Sequence, residues 1–136
     1  MSAIAPITIN DGAATPLAHT YNPVSSAPIA LFRDTVASLP LVGQCTIAVS
    51  EKLDSGSGLN KVRLVLNVPV VETIGTVGAN GYVAGPKVAF SVKANVDFIL
   101  PSRSTMQNRK DLRVMLTNLL ANAQIVDTID NLAPPY

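Results

Sequence analysis

Polar and cationic side chains recur at every second position in three stretches of this chain. Thr46, Ser50 and Lys52 do so in the first, Lys61, Arg63 and Asn67 in the second, and Ser91, Lys93, Asn95 and Asp97 in the third. Lysine and arginine are permanent cationic donors, while amides and hydroxyls both donate and accept. Gathered on one surface, such groups suit a nucleic acid, with the cations holding phosphates and the neutral groups reaching base edges. The rival explanation is a plain solvated face, which any half-exposed antiparallel sheet possesses. A net charge of +1 does not favour nucleic acid, but its placement does: Lys61, Arg63, Lys87 and Lys93 stand against one acid, Glu72, between positions 61 and 93.

No catalytic constellation accompanies these residues. His19 is the single histidine and has no companion cluster at metal-ligand spacing, so it reads as a surface or packing residue. Ser55 and Ser57 lie in a Gly-Ser turn with no long helix behind them, which is not a nucleophile elbow. The run Gly56-Ser-Gly58 ahead of Lys61 lacks P-loop spacing, and Gly78-Ala-Asn-Gly81 has no helix pair to make it a KH-type loop. Asp127 and Asp130 read as solvated carboxylates on a short helix. Cys45 is the only cysteine; it alternates with Ile47 and Val49 as a small core residue, and no intrachain disulfide can form. The chain is expected to be a non-enzyme without cofactor or metal.

The elements that position the polar residues follow from periodicity. Val88, Phe90, Val92, Ala94, Val96 and Phe98 alternate with Ala89, Ser91, Lys93, Asn95 and Asp97, which predicts a strand with one apolar and one polar face. Residues 44–53 and 61–71 share that design, joined by the turn Ser55-Gly-Ser-Gly58, with Pro69 weakening the outer end of the second. A short strand over 29–36, with a helical turn as the competing reading, precedes them. A weak strand is expected at 72–77, followed by a mobile glycine-rich loop. At the front, 4–10 and 16–22 flank Asp11-Gly12 as a hairpin too poor in apolar groups to stand alone, so it should lie over something else. Residues 22–28 read as a loop.

After Pro101 the period changes. Leu112, Met115, Leu116, Leu119 and Leu120 recur at helical spacing behind a capping box at Ser104–Gln107, and 124–132 predict a second helix. Strands first and helices last make an α+β architecture with a mainly antiparallel sheet, in one domain: 1–24 an N-terminal β-hairpin, 28–101 a five-stranded antiparallel sheet, and 104–136 two C-terminal helices. A helix springing directly from the last strand cannot readily return across its own sheet. Two chains, each laying its helices on the partner's strands, would solve this, with Leu112, Met115, Leu116 and Leu119 at the interface. Only 14% of residues are charged and 48% are hydrophobic, which fits surface hidden in contacts with other chains. The N-terminus lacks both a basic region and an apolar run, and no uncharged apolar stretch nears about 20 residues, so neither a secretory signal nor a membrane span is expected.

The segment Phe98-Ile-Leu-Pro-Ser-Arg-Ser-Thr, the helix Asp111-Leu-Arg-Val-Met-Leu-Thr-Asn-Leu-Leu-Ala and the ending from Val126 to Tyr136 resemble the C-terminal third of single-stranded RNA bacteriophage (levivirus-type) coat proteins. Length and strand order extend the resemblance over nearly the whole chain. It implies an interlocked homodimer with one continuous ten-stranded sheet, an icosahedral T=3 shell, and a polar sheet face lining the interior. It further implies that this face binds a hairpin of the single-stranded genomic RNA and thereby represses translation of the replicase. Assembly would take place in the bacterial host cytoplasm, and a maturation protein would join the virion. Asn95 matches a family asparagine and Thr46 a threonine of a base pocket, while Lys61 and Arg63 fall on the strand that supplies cations. Lys93 stands where many members carry a base-stacking tyrosine, and Ala48 where a second hydroxyl is common. The loop around Gly78, Ala79, Asn80 and Gly81 would sit at the symmetry axes. A non-viral dimeric RNA-binding translational regulator is the alternative on residues alone.

Overall fold

A computed structural model describes residues 3–35, 39–72, 81 and 85–135. The chain divides into a sheet unit, Met1–Ile99, and a helical unit, Leu100–Tyr136.

In the sheet unit, alternation and turn chemistry yield one sheet of six strands in sequence order. These are β1 (Ile7–Asn10), β2 (Ala18–Ser25), β3 (Ala30–Asp34), β4 (Thr46–Asp54), β5 (Leu59–Val71) and β6 (Val88–Pro101). β1 to β5 pair antiparallel in succession. The predicted turn between β4 and β5 forms as a five-residue reversal: Gly58 donates its N–H to the Asp54 carbonyl (2.9 Å) at a φ of +63°, a conformation that costs glycine little. The Asp54 carboxylate accepts from the Gly56 amide and the Ser57 hydroxyl, completing the turn. Pro69 is accommodated within β5, which continues to Val71. The weak strand expected at 72–77 falls outside the described residues, apart from Glu72, whose N–H reaches the Lys87 carbonyl.

The hairpin corrects the sequence reading. It is not a separate layer, because β2 pairs edge to edge with β3: Tyr21 opposes Asp34, Asn22 opposes Arg33, and Pro23 opposes Phe32. β2 runs on to Ser25, through residues expected to be loop, with the register shifting between Pro23 and Ser25. Proline has no N–H for a ladder, so an irregularity beside Pro23 lets the strand continue. The sheet thus begins at Ile7 rather than near residue 28. Its leading segment, 3–7, lines an apolar cleft together with Ala30, Phe32 and Val49.

A polar clasp pins the hairpin. His19 Nδ1 donates to Asp34 Oδ2 (2.6 Å), and Nε2 lies 3.4 Å from Asp11 Oδ2 in the hairpin turn. The hydrogen bond to Asp34 holds the His19 pKa above the usual histidine value. Asp11 also accepts from the Leu17 and Ala13 amides, which lowers its own pKa. Beside the clasp, burial pushes the Tyr21 hydroxyl up to about 12. His19, read from the sequence as a surface or packing residue, thus ties the hairpin turn to β3 through polar bonds.

In the helical unit, α1 (Met106–Leu120) and α2 (Ala123–Asp130) follow a turn after β6. The α1 cap lies one residue beyond the expected box. The Thr105 hydroxyl accepts from the Asn108 amide (3.2 Å), while Gln107 gives its side-chain amide to Asp111 (2.6 Å). Asn122 caps α2 by accepting from the Gln124 amide. Its far end turns at Leu132, whose φ of +55° is a left-handed cap more often supplied by glycine.

Burial is sparse. Among the described residues only Tyr21 and Phe32 are buried apolar side chains, and neither helix buries any residue.

Candidate nucleic-acid interface

Cross-strand pairing fixes which side chains share a face, because directly opposed residues project to the same side of a sheet. On one side of β4 and β5, Ile47 opposes Leu66 and Val49 opposes Leu64. On the other, Thr46 opposes Asn67, Ala48 opposes Val65, Ser50 opposes Arg63, and Lys52 opposes Lys61. Thr46, Ser50, Lys52, Lys61, Arg63 and Asn67 therefore lie together, as alternation predicted.

β6 joins the same face through an ion pair. Arg63 Nε donates to Asp97 Oδ1 (2.7 Å) and Nη2 to Asp97 Oδ2 (3.1 Å). Ser91, Lys93 and Asn95 keep step with Asp97 along β6 and are all exposed. The pairing raises the Arg63 pKa and lowers that of Asp97, each chiefly through the shared hydrogen bonds. Ser50, Lys52, Lys61, Arg63, Asp97 and Ile99 line one open cleft.

Arg33 is a residue the sequence reading missed. It opposes Thr46 across β3 and β4, so it extends the row Thr46–Asn67 by one strand. Arg33 Nε and Asn67 Oδ1 are both buried without a hydrogen-bond partner. A buried polar atom left unpaired is costly, and both of these lie in the one row Arg33–Thr46–Asn67. Alternation with Phe32 could have flagged Arg33, but 29–36 was also compatible with a helical turn.

Among the described residues, the arrangement offers cations, hydroxyls and amides on one face and no stacking aromatic. Such groups can act chemically through charge and hydrogen bonding. Among the described residues no three His, Cys, Asp or Glu side chains gather as a metal site.

Of the expected dimer-contact residues, Leu112, Met115 and Leu119 are exposed on α1 and Leu116 is half-buried. On the apolar face of β6, Phe90 and Val92 are likewise exposed. Of the predicted symmetry-axis loop, Gly78, Ala79 and Asn80 lie outside the described residues. Gly81 is exposed at a φ of +73°.

The profile of the levivirus coat protein family matches residues 2–136. The chain belongs to that family. No curated protein matches it significantly. Among solved structures, the virus-like particle of bacteriophage ESE058 is 27% identical with a TM-score of 0.91, covering 99% of this chain and 100% of the other. That of bacteriophage EMS014 is 28% identical with a TM-score of 0.88, covering 99% and 100%. The capsid protein of bacteriophage GA, 20% identical with a TM-score of 0.73 over 94% of each chain, shares the fold. This coat protein is accordingly a phage capsid protein, structural rather than catalytic, and the non-viral regulator gives way.

Proposed function

We propose that this chain is the repeating subunit of an RNA phage shell, in which the polar sheet face lines the interior and holds single-stranded genomic RNA. The carrying observation is that the sheet has two different faces. One bears Lys52, Lys61, Lys93, Thr46 and Asn67, while the other bears apolar side chains and has few buried residues. In this reading a second copy covers the apolar face, laying α1 and α2 across the partner's strands to give a ten-stranded sheet. The exposed apolar side chains of β6, Phe90 and Val92, and of α1, Leu112, Met115 and Leu119, support that reading, since large exposed apolar surface marks a contact site. The whole chain then acts as one coat-protein domain, despite its two units.

Dimers close into a T=3 icosahedron in the host cytoplasm, with the loop around Gly78–Gly81 at the symmetry axes and a maturation protein as the further virion partner. Thr46, Ser50, Lys52, Lys61, Asn67, Ser91, Lys93 and Asn95 contact RNA, with Arg63 beside them. Thr46, Asn67 and Asn95 supply whatever base selectivity allows a hairpin to repress translation. The likeness to the ESE058 and EMS014 virus-like particles supports assembly. Expressed alone in bacteria, the protein should yield uniform particles carrying nuclease-protected host RNA. Soluble dimers that stay unassembled at high concentration with RNA present would overturn the reading.

A further inference from the structure

Two pairs of charged residues lie close together on the polar face, and they differ in how they are neutralised. Lys52 and Lys61 oppose each other directly across β4 and β5. Like charges in that position repel, and among the described residues neither lysine has an ion-pair partner. Asp54 is near enough to feel Lys61 electrostatically, but it spends its oxygens on the turn. These two cations stand ready for an external anion.

Arg63, two residues along β5 from Lys61 and on the same face, is already engaged. Asp97 grips it with both carboxylate oxygens, at 2.7 and 3.1 Å. A carboxylate and a phosphate offer a guanidinium the same forked acceptor geometry, so Asp97 occupies the place a backbone phosphate would take. Both side chains are at least half exposed, so solvent screens the pair and its worth to the fold is small.

We propose that Asp97 is an internal counter-ion that withholds Arg63 from the RNA backbone, leaving Lys52 and Lys61 to carry the phosphate contacts in this cleft. This rests on the reading of the polar face as the RNA surface. Asp97 restrains indiscriminate affinity, so selection falls more heavily on the neutral row Thr46, Asn67 and Asn95.

The test is binding of a single-stranded RNA homopolymer to the full-length protein over a salt series. Each phosphate contact contributes roughly 0.7 to the slope of log affinity against log salt for a single strand. Lys52→Ala and Lys61→Ala should each shallow the slope by that amount. Asp97→Asn should steepen it by about 0.7 and tighten binding roughly 5-fold at 0.1 M salt, with the difference vanishing toward 1 M. The double variant Arg63→Ala, Asp97→Ala should keep the parent slope, since it removes a pair that is already satisfied. If the lysine variants shallow the slope while Asp97→Asn leaves slope and affinity unchanged, the counter-ion role is wrong and the RNA face stands. A shallower slope in the double variant would likewise overturn the role, by showing Arg63 to be a phosphate ligand in the parent. If neither lysine variant changes binding, RNA lies elsewhere and both readings fall.

Discussion

Met115 offers the cleanest perturbation of the proposed dimer. Its side chain is 67% exposed near the middle of α1, so truncating it removes almost nothing from the chain's own packing. Leu116, the half-buried neighbour, would confound folding with association. Fully burying a methionine is worth roughly 1.5–3 kcal/mol, and about two-thirds of that, some 1–2 kcal/mol, is available to a partner at this site. In a twofold interface every substitution is counted twice, so Met115→Ala should weaken the dimer by about 2–4 kcal/mol. Since about 1.4 kcal/mol is a factor of ten, the dimer dissociation constant should rise roughly 30- to 1,000-fold. Met115→Asp should go further, because in the proposed dimer it would place an unpaired carboxylate where the partner excludes water. Sedimentation of disassembled particles across a dilution series would measure the change. A dimer of parental affinity in Met115→Asp would show that α1 does not face the partner.

Further expectations concern the clasp and the helix cap. The His19 pKa is raised on folding, so its charged bonds to Asp34 and Asp11 contribute fully below the unfolded value near 6.5 and are lost as pH climbs through the folded value. Asp11 is lowered, so its contribution is present above about 3.8, the usual value, and fades as pH falls through the folded one. The hairpin should therefore be best protected from amide exchange, after correction for intrinsic rates, between about pH 4 and 6.5. An NMR titration placing His19 at or below 6.5 would contradict this. Thr105→Ala should cost about 1 kcal/mol in chemical denaturation, against little for Ser104→Ala, and the reverse order would place the cap at Ser104.

Strand alternation made the polar face readable, because a period of two assigns each residue of β4, β5 and β6 to a side without knowledge of the partner strand. The helices were readable to within about a residue or two at each end from their leucine spacing, although Thr105 rather than Ser104 caps α1. Adjacent hydroxyls compete for that role, and only backbone geometry separates them. What stayed hidden was long-range. Nothing local to 16–25 shows that β2 will pair with β3, because an edge pairing depends on which strand presents free backbone groups. Arg63 and Asp97 are 34 positions apart, so their union, and with it the engaged state of Arg63, emerges only from strand order. Arg33 was missed because a five-residue strand carries too few alternations to fix its phase.

The most direct test of the account is a high-resolution electron microscopy reconstruction of particles formed by the protein expressed alone. The polar face should point inward, with RNA density against Lys52 and Lys61, Asp97 still joined to Arg63, and α1 lying across the apolar strands of the neighbouring copy. An outward-facing Lys52–Lys61 pair, or shells with no RNA density along β4 to β6, would contradict it.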